Sequence, residues 1–323
     1  MRRVSTLLCS SLMLLPLVCI AAGERLWSGS VAAASVQGQV EPTQADVRYG
    51  PFERNVLDFY QAKSDKPTPL IIHIHGGGFV AGDKRGSVNA GVIQVILNAG
   101  ISFASINYRF VDGKDTIFPA PQHDGARAVQ FLRTKAKEWN IDPKRVACIG
   151  GSAGAGISMW IGFHDDLADP KSDDPVKRES TRIQAVGTFG GQGTYDPIVI
   201  KELIGCRAWE HPSLFKVYGI TTAEQALHPT PEKKKLYDET SAITHLTQDD
   251  PPLYMVYNEA DGSLPADAQP GQGIHHPNFG RQLKKKMDSL GIENVFVYMG
   301  DDPQRNVAGE MLAFFQKHFE AAR

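Results

Sequence analysis

The stretch Gly150-Gly151-Ser152-Ala153-Gly154 constrains this chain more than any other. It follows the apolar run Arg145-Val146-Ala147-Cys148-Ile149 and opens the helix-like run Ala155-Gly156-Ile157-Ser158-Met159-Trp160-Ile161. Small residues around a serine at a strand-to-helix junction fit the pattern G-x-S-x-G, in which the backbone turns too sharply for larger side chains. Such a turn sets the hydroxyl at the head of a helix, where free N–H groups and the helix dipole favour a developing negative charge. Ser152 is therefore the candidate nucleophile. The plainer reading of the same residues is a tight strand-helix turn.

A second stretch adds to the first. Leu70-Ile71-Ile72-His73-Ile74 reads as a buried strand and ends in His75-Gly76-Gly77-Gly78-Phe79. Three glycines after a strand leave backbone N–H groups free to approach a ligand, as an oxyanion hole requires. With an HGGG loop and a G-x-S-x-G elbow in this order, the chain from about Val56 onward resembles the α/β-hydrolase superfamily, in the esterase/lipase branch related to hormone-sensitive lipase. The resemblance implies that the amides of Gly77, Gly78 and Ala153 hold the oxyanion and that His75 braces the glycine loop.

The strand and helix order agrees with a doubly wound, mainly parallel α/β sheet. Val47–Tyr49 and Val56–Tyr60 alternate apolar and polar residues, as in a half-exposed edge hairpin. Ser87–Asn98 has helical spacing and stops at Gly100, Ile101–Asn107 is a strand, and a further helix carries Ala126, Val129 and Leu132. Gln184–Phe189, Leu253–Tyr257 and Val295–Tyr298 read as later strands, and Asn278–Ser289 and Asn306–Glu320 as closing helices. Between about residues 195 and 250 the rhythm breaks into apolar residues among charges and prolines, a cap-like helical insertion over the strand ends. Its expected role is a pocket wall, with a surface excursion as the alternative.

Residues 1–22 carry Arg2-Arg3, an apolar run to Ala22 and small residues at its end, which reads as a secretory signal peptide and implies a periplasmic or secreted protein. Residues 23–45 are a flexible lead-in, and residues 46–323 form the hydrolase domain. Of 4 cysteines, Cys148 and Cys206 lie outside the signal, and no disulfide framework is implied. A formal net charge of -2 gives no basic excess for a nucleic-acid partner.

A serine hydroxyl needs a base, and the base needs a carboxylate to orient it. By the resemblance the acid follows the strand Leu253–Tyr257, where Asp261 matches the position, with Glu259 in reserve and Asp267 third. The resemblance also places the base in a loop after the last strand. Here that loop, Met299-Gly300-Asp301-Asp302-Pro303-Gln304-Arg305-Asn306, contains no histidine.

Every strand-to-helix loop of a parallel sheet opens on one edge. His275 and His276 end a long loop on that edge and keep the order Ser, Asp, His, with His275 ahead because His276 precedes a proline. His123 shares the edge but precedes the elbow, His164 and His318 sit at far helix ends, and His211, His228 and His245 belong to the insertion. Adjacent residues on an extended backbone point oppositely, so His275 and His276 are not read as a metal pair. No phosphate-binding loop or dinucleotide fingerprint is present, and no cofactor is implied. The expected activity is hydrolysis of short-chain acyl or aryl esters, including polysaccharide-linked ones. The rival is a binding protein on a hydrolase scaffold that has lost its base.

Overall fold

The computed structural model describes residues 40–322; the signal peptide, and all but the end of the lead-in, lie outside the described residues. Eight strands form one sheet: β1 (Gln44–Arg48), β2 (Val56–Tyr60), β3 (Thr68–Ile74), β4 (Ser102–Ile106), β5 (Ile141–Gly151), β6 (Ala185–Phe189), β7 (Leu253–Tyr257) and β8 (Asn294–Tyr298). Their spatial order is β1-β2-β4-β3-β5-β6-β7-β8. β1 and β2 enter antiparallel, and every later pairing is parallel. The lead-in thus becomes strand at Gln44, slightly before the expected boundary.

Side chains of the central strands alternate between two cores, as the two-residue period of a strand dictates. Leu70, Ile72, Ile74, Val146 and Cys148 face one side, and Ile71, Ala147 and Ile149 face the other. The second side is covered by α1 (Ala90–Asn98) and, near the end of the chain, by a helix over Val307–Ala321. The first is covered by α2 (Ala120–Thr134), α3 (Ala153–Phe163), a helix over Asn278–Leu290 and the segment between β6 and β7. Helix α1 starts later than its apolar spacing suggests because the Asn89 side chain accepts the Gly91 N–H and caps it.

The segment between β6 and β7 folds into α4 (Pro197–Ile204), α5 (Pro212–Tyr218), α6 (Ala223–Leu227), α7 (Pro231–Thr240) and α8 (Ala242–His245). The two helices already given by their ranges, Asn278–Leu290 and Val307–Ala321, are α9 and α10. Among the described residues, no helix is long and apolar enough to cross a membrane.

The edge hairpin departs from expectation. β2 is almost wholly buried, and its polar residue Asp58 does not face water. Asp58 Oδ2 receives Lys84 Nζ at 2.8 Å and Arg85 Nε at 2.9 Å, with the Lys84 side chain itself 2% exposed. A buried carboxylate persists because these cations and the Asp46 N–H satisfy it. The two remaining cysteines are free and buried, and burial pushes the Cys148 thiol up to about 12.

Candidate active site

The strand order reverses between β3 and β5. The chain goes from β3 to β4 on one side and returns to β5 on the other, so the loops after β3 and β5 leave the sheet in opposite directions and open a crevice. Ile74 pairs with Gly150, so the glycine loop and the serine turn begin at the same level. A Cβ on Gly154 would lie 2.0 Å from the Ile74 carbonyl oxygen, which is why only glycine lets α3 start this close to β3.

Ser152 sits at φ 51° and ψ -118°, a conformation that side chains rarely adopt. Its N–H donates to the Phe189 carbonyl at 2.9 Å, anchoring the turn to β6. Among the described residues, no acceptor occupies the main-chain N–H groups of Gly77, Gly78 or Ala153, while the Gly77 carbonyl receives both Val80 and Ala81. Ala153 opens α3, so its amide has no partner within the helix.

His75 lies beneath this loop. Its Nδ1 donates to the Gly76 carbonyl at 2.7 Å, Arg54 Nη2 approaches Nε2 at 3.3 Å, and the ring stacks on Tyr108. Burial lowers its pKa to about 4, so the ring is neutral and both nitrogens are occupied with bracing.

The structure brings His275 to Ser152, with Nε2 2.8 Å from Oγ. Three contacts hold its loop in place. The His275 N–H donates to Glu259 Oε2 at 2.8 Å, the Gly273 N–H donates to Glu259 Oε1 at 3.0 Å, and Gln192 Nε2 donates to the Ile274 carbonyl. Gly190, at φ +56°, passes under the ring, and a Cβ there would lie 3.2 Å from His275 Cβ. Burial, with a smaller contribution from His211, lowers the pKa of His275 to about 4. Its imidazole is therefore neutral and able to accept a proton from Oγ.

The other predicted residues go elsewhere. His276 is buried and turned away, with Nε2 on the Gly262 carbonyl at 3.0 Å and Nδ1 accepting the Asn278 N–H at 3.1 Å. The structure does not bring Asp261 to His275. Both Asp261 carboxylate oxygens are taken by the Arg281 guanidinium of α9, which holds its pKa below the usual range. Asp267 is exposed on the same loop. His123 lies beside Trp160, and the adjacent Asp124 binds Arg109. His318 faces Glu293.

A pocket of about 500 Å³, open mouth included, leads to Ser152. Phe79, Tyr195, Leu214 and Phe279 form its apolar wall, with Gln192 and His211 as polar points. Tyr195, His211 and Leu214 come from the helical insertion, which therefore reaches the pocket instead of lying apart on the surface. His211 caps α5, its Nδ1 accepting the Ser213 N–H at 3.2 Å. Glu259, the reserve acid of the sequence reading, grips the main chain of the histidine loop and not the imidazole; Gly190 carries no sequence signature of its role, because it acts on a ring far along the chain.

Residues 57–270 match the family described as BD-FAE. The chain belongs to the BD-FAE family. Within this BD-FAE chain the glycine loop and Ser152 lie inside the matched span, and His275 lies just past its end. LipM of Mycobacterium tuberculosis, described as a probable carboxylic ester hydrolase, is 26% identical over 230 residues, covering 70% of this chain and 50% of LipM. A probable isoprenylcysteine alpha-carbonyl methylesterase of Arabidopsis thaliana is 28% identical over 275 residues, covering 81% of this chain and 53% of its own length. The BD-FAE chain thus spans about half the length of these relatives.

Among solved structures, an acetyl ester-xyloside bifunctional hydrolase from Caldicellulosiruptor lactoaceticus superposes with a TM-score of 0.64 at 21% identity, covering 87% of this chain and 98% of that one. A truncated carbohydrate esterase from gut microbiota gives 0.61 at 22% identity, covering 88% of this chain and 100% of that one. The BD-FAE chain therefore has the α/β-hydrolase fold.

Proposed function

We propose that this chain is a carboxylic ester hydrolase that works through Ser152. The observation that carries the proposal is the 2.8 Å approach of His275 Nε2 to Ser152 Oγ, made between residues on different loops at a pocket that Gly78 and Ala153 also line. In this reading His275 takes the hydroxyl proton as Oγ attacks the acyl carbonyl, and the amides of Gly77, Gly78 and Ala153 stabilise the tetrahedral oxyanion. The imidazolium then protonates the leaving alcohol. A water, deprotonated by His275, releases the acid from the acyl-enzyme and restores Ser152.

Glu259 positions the base by gripping the main chain at Gly273 and His275. The apolar walls beside Ser152 favour acyl or aryl groups. The names of the structural neighbours add acyl groups carried on carbohydrate as the natural target. An export signal over residues 1–22 would place the activity outside the cytoplasm.

Steady hydrolysis of p-nitrophenyl acetate, abolished in Ser152→Ala, is the expected result. Turnover that survives this substitution sinks the assignment of the nucleophile. A fluorophosphonate probe separates this reading from the rival one of a retired scaffold: covalent labelling at Ser152 is expected, and folded protein without labelling favours a binding protein.

A further inference from the structure

At the far end of α3 from Ser152, His164 meets Glu239 of α7 and His245 of α8. One ring nitrogen from each histidine and one carboxylate oxygen of Glu239 all lie within 4.8 Å of one another, and all three residues are half-buried. His164 Nε2 and Glu239 Oε1 are 3.3 Å apart, and the two imidazole centroids are 4.6 Å apart.

Each ring also holds a backbone carbonyl. His164 Nδ1 lies 2.9 Å from the Asp165 carbonyl oxygen, and His245 Nε2 lies 2.7 Å from the Glu239 carbonyl oxygen. A carbonyl oxygen can only accept, so these two nitrogens carry hydrogens and each histidine's other nitrogen is the one available to a metal. The lone pairs are then on His164 Nε2 and His245 Nδ1. At His164 the Nε2 lone pair of this tautomer faces a Glu239 carboxylate oxygen at 3.3 Å, two acceptors that a metal ion between them would satisfy.

Two further contacts make the cluster a built one. Trp160 Nε1 donates to the same Glu239 carbonyl at 2.8 Å, and the Trp160 ring lies 4.2 Å from the His164 ring. The backbone of Glu239 therefore orients one histidine directly and the other through the indole.

We propose that His164, Glu239 and His245 form a site for a divalent transition metal, zinc foremost, that clips the C-terminal end of α3 to the helical insertion. Two imidazole nitrogens and a carboxylate are a donor set zinc takes at about 2.0–2.2 Å. Metal-binding histidines characteristically donate their second nitrogen to a carbonyl or carboxylate, as both do here. Bonds of that length around a tetrahedral ion separate ligand atoms by about 3.3–3.5 Å. The His164 to Glu239 pair already has this spacing, and the His245 ligand atom, within 4.8 Å of the other two, closes in when an ion binds. The fourth position is left to water. Helix α3, capped by Ser152 at one end and His164 at the other, puts roughly 18 Å between this cluster and Ser152 at about 1.5 Å per residue, so the metal holds the scaffold and touches no reacting atom.

The test uses the full chain, stripped with a chelator and titrated with zinc chloride. One zinc per chain by calorimetry and an upward shift of the thermal unfolding midpoint are expected. Cobalt(II) in its place should give the visible absorption of a tetrahedral ion. Glu239→Gln, which keeps the side-chain size, and His245→Ala should each weaken binding by more than about tenfold and remove the shift. Turnover of p-nitrophenyl acetate by both variants should stay at the wild-type value. A wild-type chain whose midpoint ignores zinc, or variants that bind zinc as tightly as wild type, would overturn the proposal.

Discussion

The Glu259 carboxylate holds His275 by the main chain, accepting the His275 N–H through Oε2 and the Gly273 N–H through Oε1. Two parallel bonds from one carboxylate to alternate amides fix the loop without touching the nitrogen that faces Ser152. Glu259→Ala frees that loop, and a misplacement of about 1 Å costs roughly a hundredfold in rate. The expected result is a kcat on p-nitrophenyl acetate reduced by about that factor with KM nearly unchanged. A wild-type kcat would detach Glu259 from the placement of the base.

The two neighbouring histidines should separate cleanly. His275→Ala removes the group beside Ser152 Oγ and should lower kcat by about four to six powers of ten. His276→Ala breaks two partly buried hydrogen bonds and should lower stability by about 1–3 kcal/mol with turnover close to wild type. Denaturant titration and steady-state kinetics on the same preparations read both effects. Equal loss of turnover in the two variants would contradict the geometry.

Asp261→Asn should leave kcat within about twofold, since its partner is Arg281 and not the base. The partly exposed ion pair contributes about 0–1 kcal/mol. A large loss of kcat would mean that this carboxylate reaches His275 during the reaction.

Acid should switch off activity unusually late. The base acts when neutral, and its pKa is lowered from 6.5 to about 4, so kcat/KM should rise with a midpoint near pH 4 and be flat above 6.5. Stability follows the same sign. His73, lowered to about 3, His75 and His275 bind protons less readily folded than unfolded. Their contribution is complete above the unfolded value near 6.5 and is lost as pH falls towards their folded values. An acid limb of kcat/KM centred at or above pH 6.5 would refute the burial argument.

Gly190 sets a limit on what can lie under the imidazole. An alanine there meets a φ of +56° and a contact of 3.2 Å with His275 Cβ. Gly190→Ala should cost about 1–2 kcal/mol in stability and reduce kcat through displacement of the ring. Unchanged kinetics would show that the ring has room to spare.

Much of this was legible in the sequence for a simple reason. The glycine loop and the serine turn are local, and each stretch meets the steric demands of its own backbone. The strands from β3 onward were legible through their apolar runs. Asp58 misled because its two cations lie well beyond the strand, and a polar residue in an alternating run reads as facing water. Asp261 misled because Arg281, twenty residues on, claims its carboxylate. His275 and His276 were legible as a pair, with His275 ahead because a proline follows His276; what holds its ring inward, the Glu259 clamp and Gly190, was not visible from local spacing.

Under the proposed mechanism the imidazole is carried by the loop after β7, and the last strand and helix are released from the chemistry. β8 and α10 still matter as ballast: Val297, Met311 and Phe315 complete the core beneath the sheet. In the turn between them Met299 is held by the core and by the Tyr257 carbonyl, while residues 300–304 are exposed. That turn is the place where the chain can lengthen, shorten or take up a new binding duty while the reacting groups stay where they are.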